Sequence, residues 1–191
     1  MRRLVFFIHT SLDGYVATPN REMDWIKVDQ EMFDVALSQT QRSDLAVHGR
    51  ITFELMEDYW PTAADQPNAT KHDIEHSAWY NSVEKVVITR TMKNVAKPKL
   101  KIIDKDVAAE IQKLKNLPGK DIVIFGSPSI GQLLTAENLI DDYWLFINPI
   151  LLGHGRPLFV PFDKGLNLEL KTSKTFASGV VCLHYQVKTN K

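Results

Sequence analysis

Apolar residues along this chain fall into two kinds of pattern. Some are unbroken β-branched or aromatic runs, and others are stripes at helical spacing. The runs Leu4 to His9, Asp44 to His48, Val86-Val87-Ile88, Ile122 to Phe125 and Tyr143 to Ile147 are apolar on both faces, as buried strands of a parallel sheet are. Leu100 to Ile103 adds a short strand. Tyr15-Val16-Ala17 is a brief apolar stretch after a turn-rich loop. Phe33, Ala36 and Leu37 mark a helix over Glu31 to Gln41. Val107, Ile111 and Leu114 mark another, stopped by Pro118-Gly119, and Ile130, Leu133 and Leu134 mark a third that ends near Asn138. A helix following Gly49 runs to about Glu57.

Between Asp58 and Tyr80, with Pro61 and Pro67, the pattern is lost. This stretch reads as an irregular flap or insert holding a short helix over His72 to Tyr80. Near the C-terminus, Val181, Leu183, Tyr185 and Val187 alternate with Cys182, His184 and Gln186. Leu166 to Phe176 and Val180 to Lys188 therefore form an antiparallel hairpin around Ala177-Ser178-Gly179. The order of elements predicts one α/β domain over residues 1–191. It is a three-layer fold with a mixed, mainly parallel sheet, helices on both faces and a C-terminal antiparallel hairpin.

Three of the buried strands end in polar turns: Gly49-Arg50-Ile51-Thr52, Thr89-Arg90-Thr91 and Gly126 to Gly131. If the strands are parallel, all three turns share one edge, where open α/β sheets bind ligands. In the last turn Gly126 permits close backbone approach, Ser127 is an expected N-cap, and Pro128 takes the first helical position. A helix start of this kind suits a phosphate. With Arg50 and Arg90 able to fork onto a phosphate monoester, the inventory fits a dinucleotide, NADPH rather than NADH. Neither G-x-G-x-x-G nor a Walker lysine is present, which disfavours an ordinary dinucleotide fingerprint and an ATPase.

Net charge narrows the class further. The chain has 191 residues and a formal charge of zero, so no global field argues for nucleic acid or an anionic membrane. One cysteine, Cys182, rules out an internal disulfide, and with no credible membrane segment the expectation is a cytoplasmic protein. Other features are His72 and His76 at one-turn spacing, where histidines of a polar loop are more often solvated than metal-bound, and Lys97, Lys99 and Lys101, read as the guard of an edge strand. Arg156, in the loop Gly153-His154-Gly155-Arg156, is suited to a substrate phosphate; the same loop also reads as a bulge and turn feeding the last hairpin.

Ser11-Leu12-Asp13-Gly14, Met23-Asp24-Trp25, Gly49 to Glu54, Tyr59-Trp60-Pro61, Thr89-Arg90, Phe125-Gly126-Ser127 and Pro149 to Pro157 occur in an order that resembles the dihydrofolate-reductase-like superfamily. Within it the chain is most similar to the C-terminal reductase domain of the bifunctional riboflavin biosynthesis protein, in its stand-alone bacterial form. The resemblance implies an eight-stranded mixed sheet, a homodimer and NADPH laid across the strand ends. The cofactor residues it implies are Gly49, Arg50, Ile51, Thr52, Thr89, Arg90, Gly126, Ser127, Ser129, Ile130 and Gly131.

It further implies a loop around Asp13 that closes over nicotinamide and substrate. Asp13 and Asp24 are candidate catalytic groups, and Trp25 a ring-stacking wall. Dihydrofolate reductases carry an acid on the first helix; Asp29, Glu31 and Asp34 all lie near that position. The implied activity is hydride transfer to a pteridine or pyrimidine-type substrate, with no metal. The alternative is a dimer that binds the nucleotide without turnover, as a sensor or structural protein.

Overall fold

The apolar runs assemble as a central sheet with a helical layer on each face. The computed structural model describes residues 1–93 and 95–188. In chain order the elements are β1 (Leu4–Ser11), β2 (Tyr15–Ala17), α1 (Gln30–Arg42), β3 (Ser43–Gly49), α2 (Arg50–Tyr59), a 3-10 helix (Trp60–Asp65), α3 (Lys71–Ser82), β4 (Glu84–Ile88), β5 (Leu100–Ile103), α4 (Val107–Asn116), β6 (Asp121–Phe125), α5 (Pro128–Ala136), β7 (Asp142–Asn148), β8 (Arg156–Pro157), β9 (Leu168–Thr175) and β10 (Val181–Val187).

Eight strands form one sheet in the order β5-β4-β3-β6-β1-β7-β10-β9, and β2 and β8 form a small antiparallel pair. β5 through β7 are parallel throughout, while β10 runs antiparallel to both β7 and β9. Strand alternation divides the core in two. Leu4, Phe6, Ile122 and Ile124 face α4 and α5, with Ile111 and Leu134. Phe7, Ala46, Val123 and Phe125 face the other way, with Met32 and Ala36 of α1. Because both faces are covered, the central strands show no polar alternation.

Two expectations change. Asp58 to Tyr80 is not an irregular flap: α2 continues to Tyr59, the 3-10 helix follows with Pro61 in its first turn, and α3 begins at Lys71. Thr70 and Asp73 form a reciprocal capping box at the start of α3. The polar and apolar residues of α3 do not segregate into faces, so its periodicity is faint although His76, Ser77 and Tyr80 are buried. In α1 the buried face is Met32, Ala36, Gln39 and Thr40, rotated from the expected stripe; Phe33 and Leu37 are only partly covered. β5 is an edge strand, as the lysines around it suggested.

Candidate active site

Because β4, β3 and β6 are adjacent and parallel, their C-terminal turns stand side by side on one rim. Two of them touch. The Gly49 N–H donates to Ser127 Oγ at 2.9 Å, and a side chain at Gly49 would press on Ile130. A side chain at Gly126 would meet Thr52, 3.7 Å away. Gly126 has φ +63°, a conformation that glycine adopts without strain.

Ser127 stands at the N-cap of α5 with φ +57°, but its hydroxyl makes no cap bond to its own helix. The expected capping role is therefore corrected: the side chain is buried and fastens the neighbouring turn. α2 likewise begins without a side-chain cap, unlike α1 and α3; α4 is also uncapped but follows the edge strand β5. Two helix starts with unsatisfied N–H groups and positive dipole ends thus lie together. Within α5 the N–H groups of Ile130 and Gly131 both donate to Ser127 O. Ile130 belongs to the core, and Gly131 lies where any side chain would overlap the Phe6 ring. Gly131 lets the helix approach the sheet, and the Ile130 side chain packs beneath the Gly49 turn.

The arginines are differently placed. Arg50 Nη1 donates to both carboxylate oxygens of Glu54, at 3.0 and 2.9 Å, one turn along the exposed face of α2. Such a pair is weak enough to exchange for a phosphate. Arg90 is exposed and has no ion-pair partner among the described residues. Thr89 is buried, and its hydroxyl accepts from the N–H groups of Thr91 and Met92, which shapes that turn. Ile51 and Thr52 are half-buried in the first turn of α2.

On the far side of β1, Asp13 accepts from Ser11 Oγ at 2.6 Å and from the N–H groups of Leu152 and Gly153 at 3.1 and 2.7 Å. These donors, the Ser11 hydroxyl foremost, hold its carboxyl below the usual carboxylate range. The Ser11–Gly14 loop is thereby tied to the glycine-rich loop. Arg156 lies exposed in β8, paired with Ala17 of β2, so the loop turns into a short strand of the two-stranded sheet and not, as expected, directly into the last hairpin. Asp24 is exposed and has no hydrogen bond among the described residues. Trp25 is half-buried, with its ring nitrogen closed off from solvent and unpartnered. The segment after it is anchored where the Lys27 N–H donates to Asn148 Oδ1 at 2.9 Å.

Beside the rim, between the ends of β1 and β6 and the helices α1, 3-10 and α3, lies a cavity of about 150 Å³. Phe7, His9, Met32, Phe33, Ala36, Trp60, His72, His76 and Phe125 line it, and exposed Val28 lies at its edge. Trp25 is not part of the wall; Val28, three residues later, is. The Phe33 and His72 rings stack with centroids 3.9 Å apart and 7° between planes, and Trp60 packs on His76 at 4.0 Å. Burial pushes His9 down to about 4 and His76 to about 3, so both are neutral at neutral pH. Buried Asn148 joins β7 to β1 by donating to Thr10 O and Phe146 O.

The sequence pattern gave His9 and Asn148 no role, and Trp60 entered it only within the Tyr59-Trp60-Pro61 motif. The histidine pair did give a signal, and the structure turns that pair into part of an aromatic wall. Among the described residues no three His, Cys, Asp or Glu side chains are grouped to hold a metal. Cys182 is buried, and its thiol is pushed up to about 12, far from a nucleophile's range.

A mixed eight-stranded sheet with helices on both faces and this strand order is a dihydrofolate-reductase-like fold. The family described as "RibD C-terminal domain" matches residues 2–182, and the chain belongs to that family. The uncharacterized protein YyaP of Bacillus subtilis (strain 168) is 34% identical over 187 residues, which cover 96% of this chain and 94% of that protein. A Shewanella sp. PV-4 structure named "Putative riboflavin biosynthesis protein" aligns with a TM-score of 0.69 and 27% identity, over 99% of this chain and 100% of that one. Dihydrofolate reductase from Enterococcus faecalis, solved in complex with NADP(H) and RAB-propyl, shares the fold. Its TM-score is 0.63 at 14% identity, over 98% and 97% of the two chains.

Proposed function

We propose that this protein is an NADPH-dependent oxidoreductase that delivers hydride to a planar heterocycle of pteridine or pyrimidine type. One observation carries the reading: two uncapped helix starts, those of α2 and α5, meet at a rim beside an apolar, aromatic-walled cavity. The fit to a dinucleotide is chemical as well as spatial. The backbone N–H groups of Ser127 and Ser129 would hold the pyrophosphate, with Gly126, whose own N–H is donated to Phe7 O, allowing close approach for want of a side chain, and Ile130 and Gly131 setting the helix in place. The turn Gly49, Arg50, Ile51, Thr52 and the turn Thr89, Arg90 would hold the adenosine phosphate. When bound, NADPH supplies the hydride.

This chain's own residues position and enclose. Asp13, engaged by three donors, acts by fixing the loop over the reacting rings. Asp24, exposed and unpaired among the described residues, is the acid in a position to exchange a proton with solvent. Trp25 and Arg156 would be the further substrate contacts, as the resemblance implies. The resemblance also supports a homodimer. Placement in the cytoplasm rests on the sequence, and no described helix is long and apolar enough to cross a membrane.

A second reading has one observation in its favour. No carboxylate of α1 lines the cavity, so the chain could bind NADPH as a sensor without turnover. Substrate-dependent loss of reduced-nicotinamide absorbance separates the two readings. Fluorescence titration of wild type and of Arg50→Ala/Arg90→Ala with NADPH and NADH tests the cofactor site. The double variant should weaken NADPH by about tenfold or more, the worth of one charge-assisted hydrogen bond, and leave NADH nearly unchanged. Equal losses refute the phosphate assignment, and failure of wild type to bind NADPH sinks the reductase reading.

A further inference from the structure

The cavity between α1, the 3-10 helix and α3 says more about its occupant than the reductase reading requires. Each of the three acids near the start of α1 is engaged elsewhere. Asp29 caps the helix, accepting from the Met32 N–H at 3.0 Å, and also accepts from Ser178 Oγ. Glu31 pairs with Lys174 at 2.9 Å. Asp34 accepts from Gln30 at 3.1 Å. The α1 side chains that do face the cavity are Met32, Phe33 and Ala36.

Among the residues lining it there is no Asp, Glu, Lys or Arg. A cationic amidine in this space would have no counter-charge, and a phosphate would have no cation; either ion would lose its hydration without compensation. Its titratable groups are His9, His72 and His76, all held below the ordinary imidazole range mainly by burial, so they supply no compensating charge at neutral pH. What the wall offers is aromatic surface in one connected cluster: Phe33 stacks on His72, and Trp60 packs against both His72 and His76. A volume of about 150 Å³ is the size at which an apolar protein cavity accepts a benzene ring. One nitrogen of the wall is both shut off from solvent and without a hydrogen-bond partner, the Nε2 of His76. Its residue is 6% exposed. A neutral imidazole nitrogen can satisfy a single carbonyl, imine or hydroxyl on the ring.

We propose that this cavity takes a planar, uncharged ring compound bearing one carbonyl-type polar group, and excludes both cationic amidines and phosphate esters. The proposal rests on the cavity being the substrate site of the reductase described above, and it narrows that substrate to one without the phosphate of a sugar-phosphate heterocycle.

Three phenyl probes test it at pH 7.5: acetophenone, its near-isosteric cation benzamidine, and the larger anion phenyl phosphate. Binding is read by quenching of tryptophan fluorescence, to which Trp60 contributes, and by ligand-observed NMR. Acetophenone should bind saturably, and the two ions at least about tenfold more weakly. Ala36→Phe, which fills the space, should abolish acetophenone binding in folded protein. If that variant does not fold, Phe33→Asp, at a half-exposed position, should reverse the ranking in favour of benzamidine. Equal or tighter binding of either ion by wild type overturns the proposal, as does binding of none of the three. A parallel NADPH titration keeps the readings apart. Intact NADPH binding with the wrong ranking overturns only the substrate class. The right ranking without NADPH binding overturns only the reductase.

Discussion

Ser127 is a polar side chain whose use is decided by a neighbour in space and not by its own helix. Its hydroxyl accepts from the buried Gly49 N–H, 78 positions away in sequence, and so joins the two rim turns. Ser127→Ala removes the acceptor and leaves that N–H unsatisfied. The expected cost is about 1–3 kcal/mol of stability, checked by denaturant unfolding, together with weaker NADPH binding if the joined turns form the cofactor cradle. The sequence marks Gly49 and Ser127 as turn residues, but nothing in either turn says that the two bond to one another. Gly131 teaches the same lesson from the other side. It reads as part of a phosphate loop, whereas in the fold its missing side chain makes room for Phe6.

At the scale of elements, the packing of α3 on the sheet buries titratable groups that the sequence showed only as scattered histidines. His48 on β3 is fully buried, with both ring nitrogens unpartnered, and His76 on α3 packs against Trp79 and Phe125. Burial pushes His48 down to about 4 and His76 to about 3. Between those values and the ordinary histidine pKa of 6.5, the unfolded chain binds protons that the folded chain refuses. Stability is therefore undiminished above pH 6.5 and falls as the pH drops toward 4, with a slope of up to about 1.4 kcal/mol per pH unit for each such histidine. Melting temperature measured between pH 4.5 and 7 should show this decline. His48→Leu should flatten it by about one proton's worth, whereas an unchanged slope would mean that His48 is protonated in the fold. The helix expected over His72 to Tyr80 is present as Lys71–Ser82; its signal was faint because its buried positions are His76, Ser77 and Tyr80, which carry little apolar pattern, and its start is written in a capping box.

For the whole molecule, strand order is what turns separate motifs into a site. β4, β3 and β6 are neighbours although β5 and α4 lie between β4 and β6 in the chain, and β1 is inserted next to β6. At the opposite end the sheet finishes on β9, exposed along its full length, with Leu168 and Leu170 uncovered. Its two exposed leucines stand beside Glu169, Lys171 and Lys174, a mixed edge that could still pair with another copy. If the homodimer forms through it, sedimentation at micromolar concentration gives a dimer mass and Leu170→Lys shifts it toward monomer. A monomer mass for the wild type removes the dimer.

By itself the sequence determined the local elements and the chemistry of their ends. Unbroken β-branched runs can only be strands covered on both faces, and a glycine followed by polar residues ends them in turns. Family membership was legible for the same reason, since the order of those turns survives as a string. What only the tertiary structure decided is which groups face one another: the bond between the rim turns, the fastening of Asp13 to Leu152 and Gly153, and the uncharged cavity behind α1. Those depend on crossover order and on helix rotation. A shift of one position on a helix turns a side chain by about a hundred degrees, enough to place Met32 and Ala36, and none of the nearby acids, inside the wall.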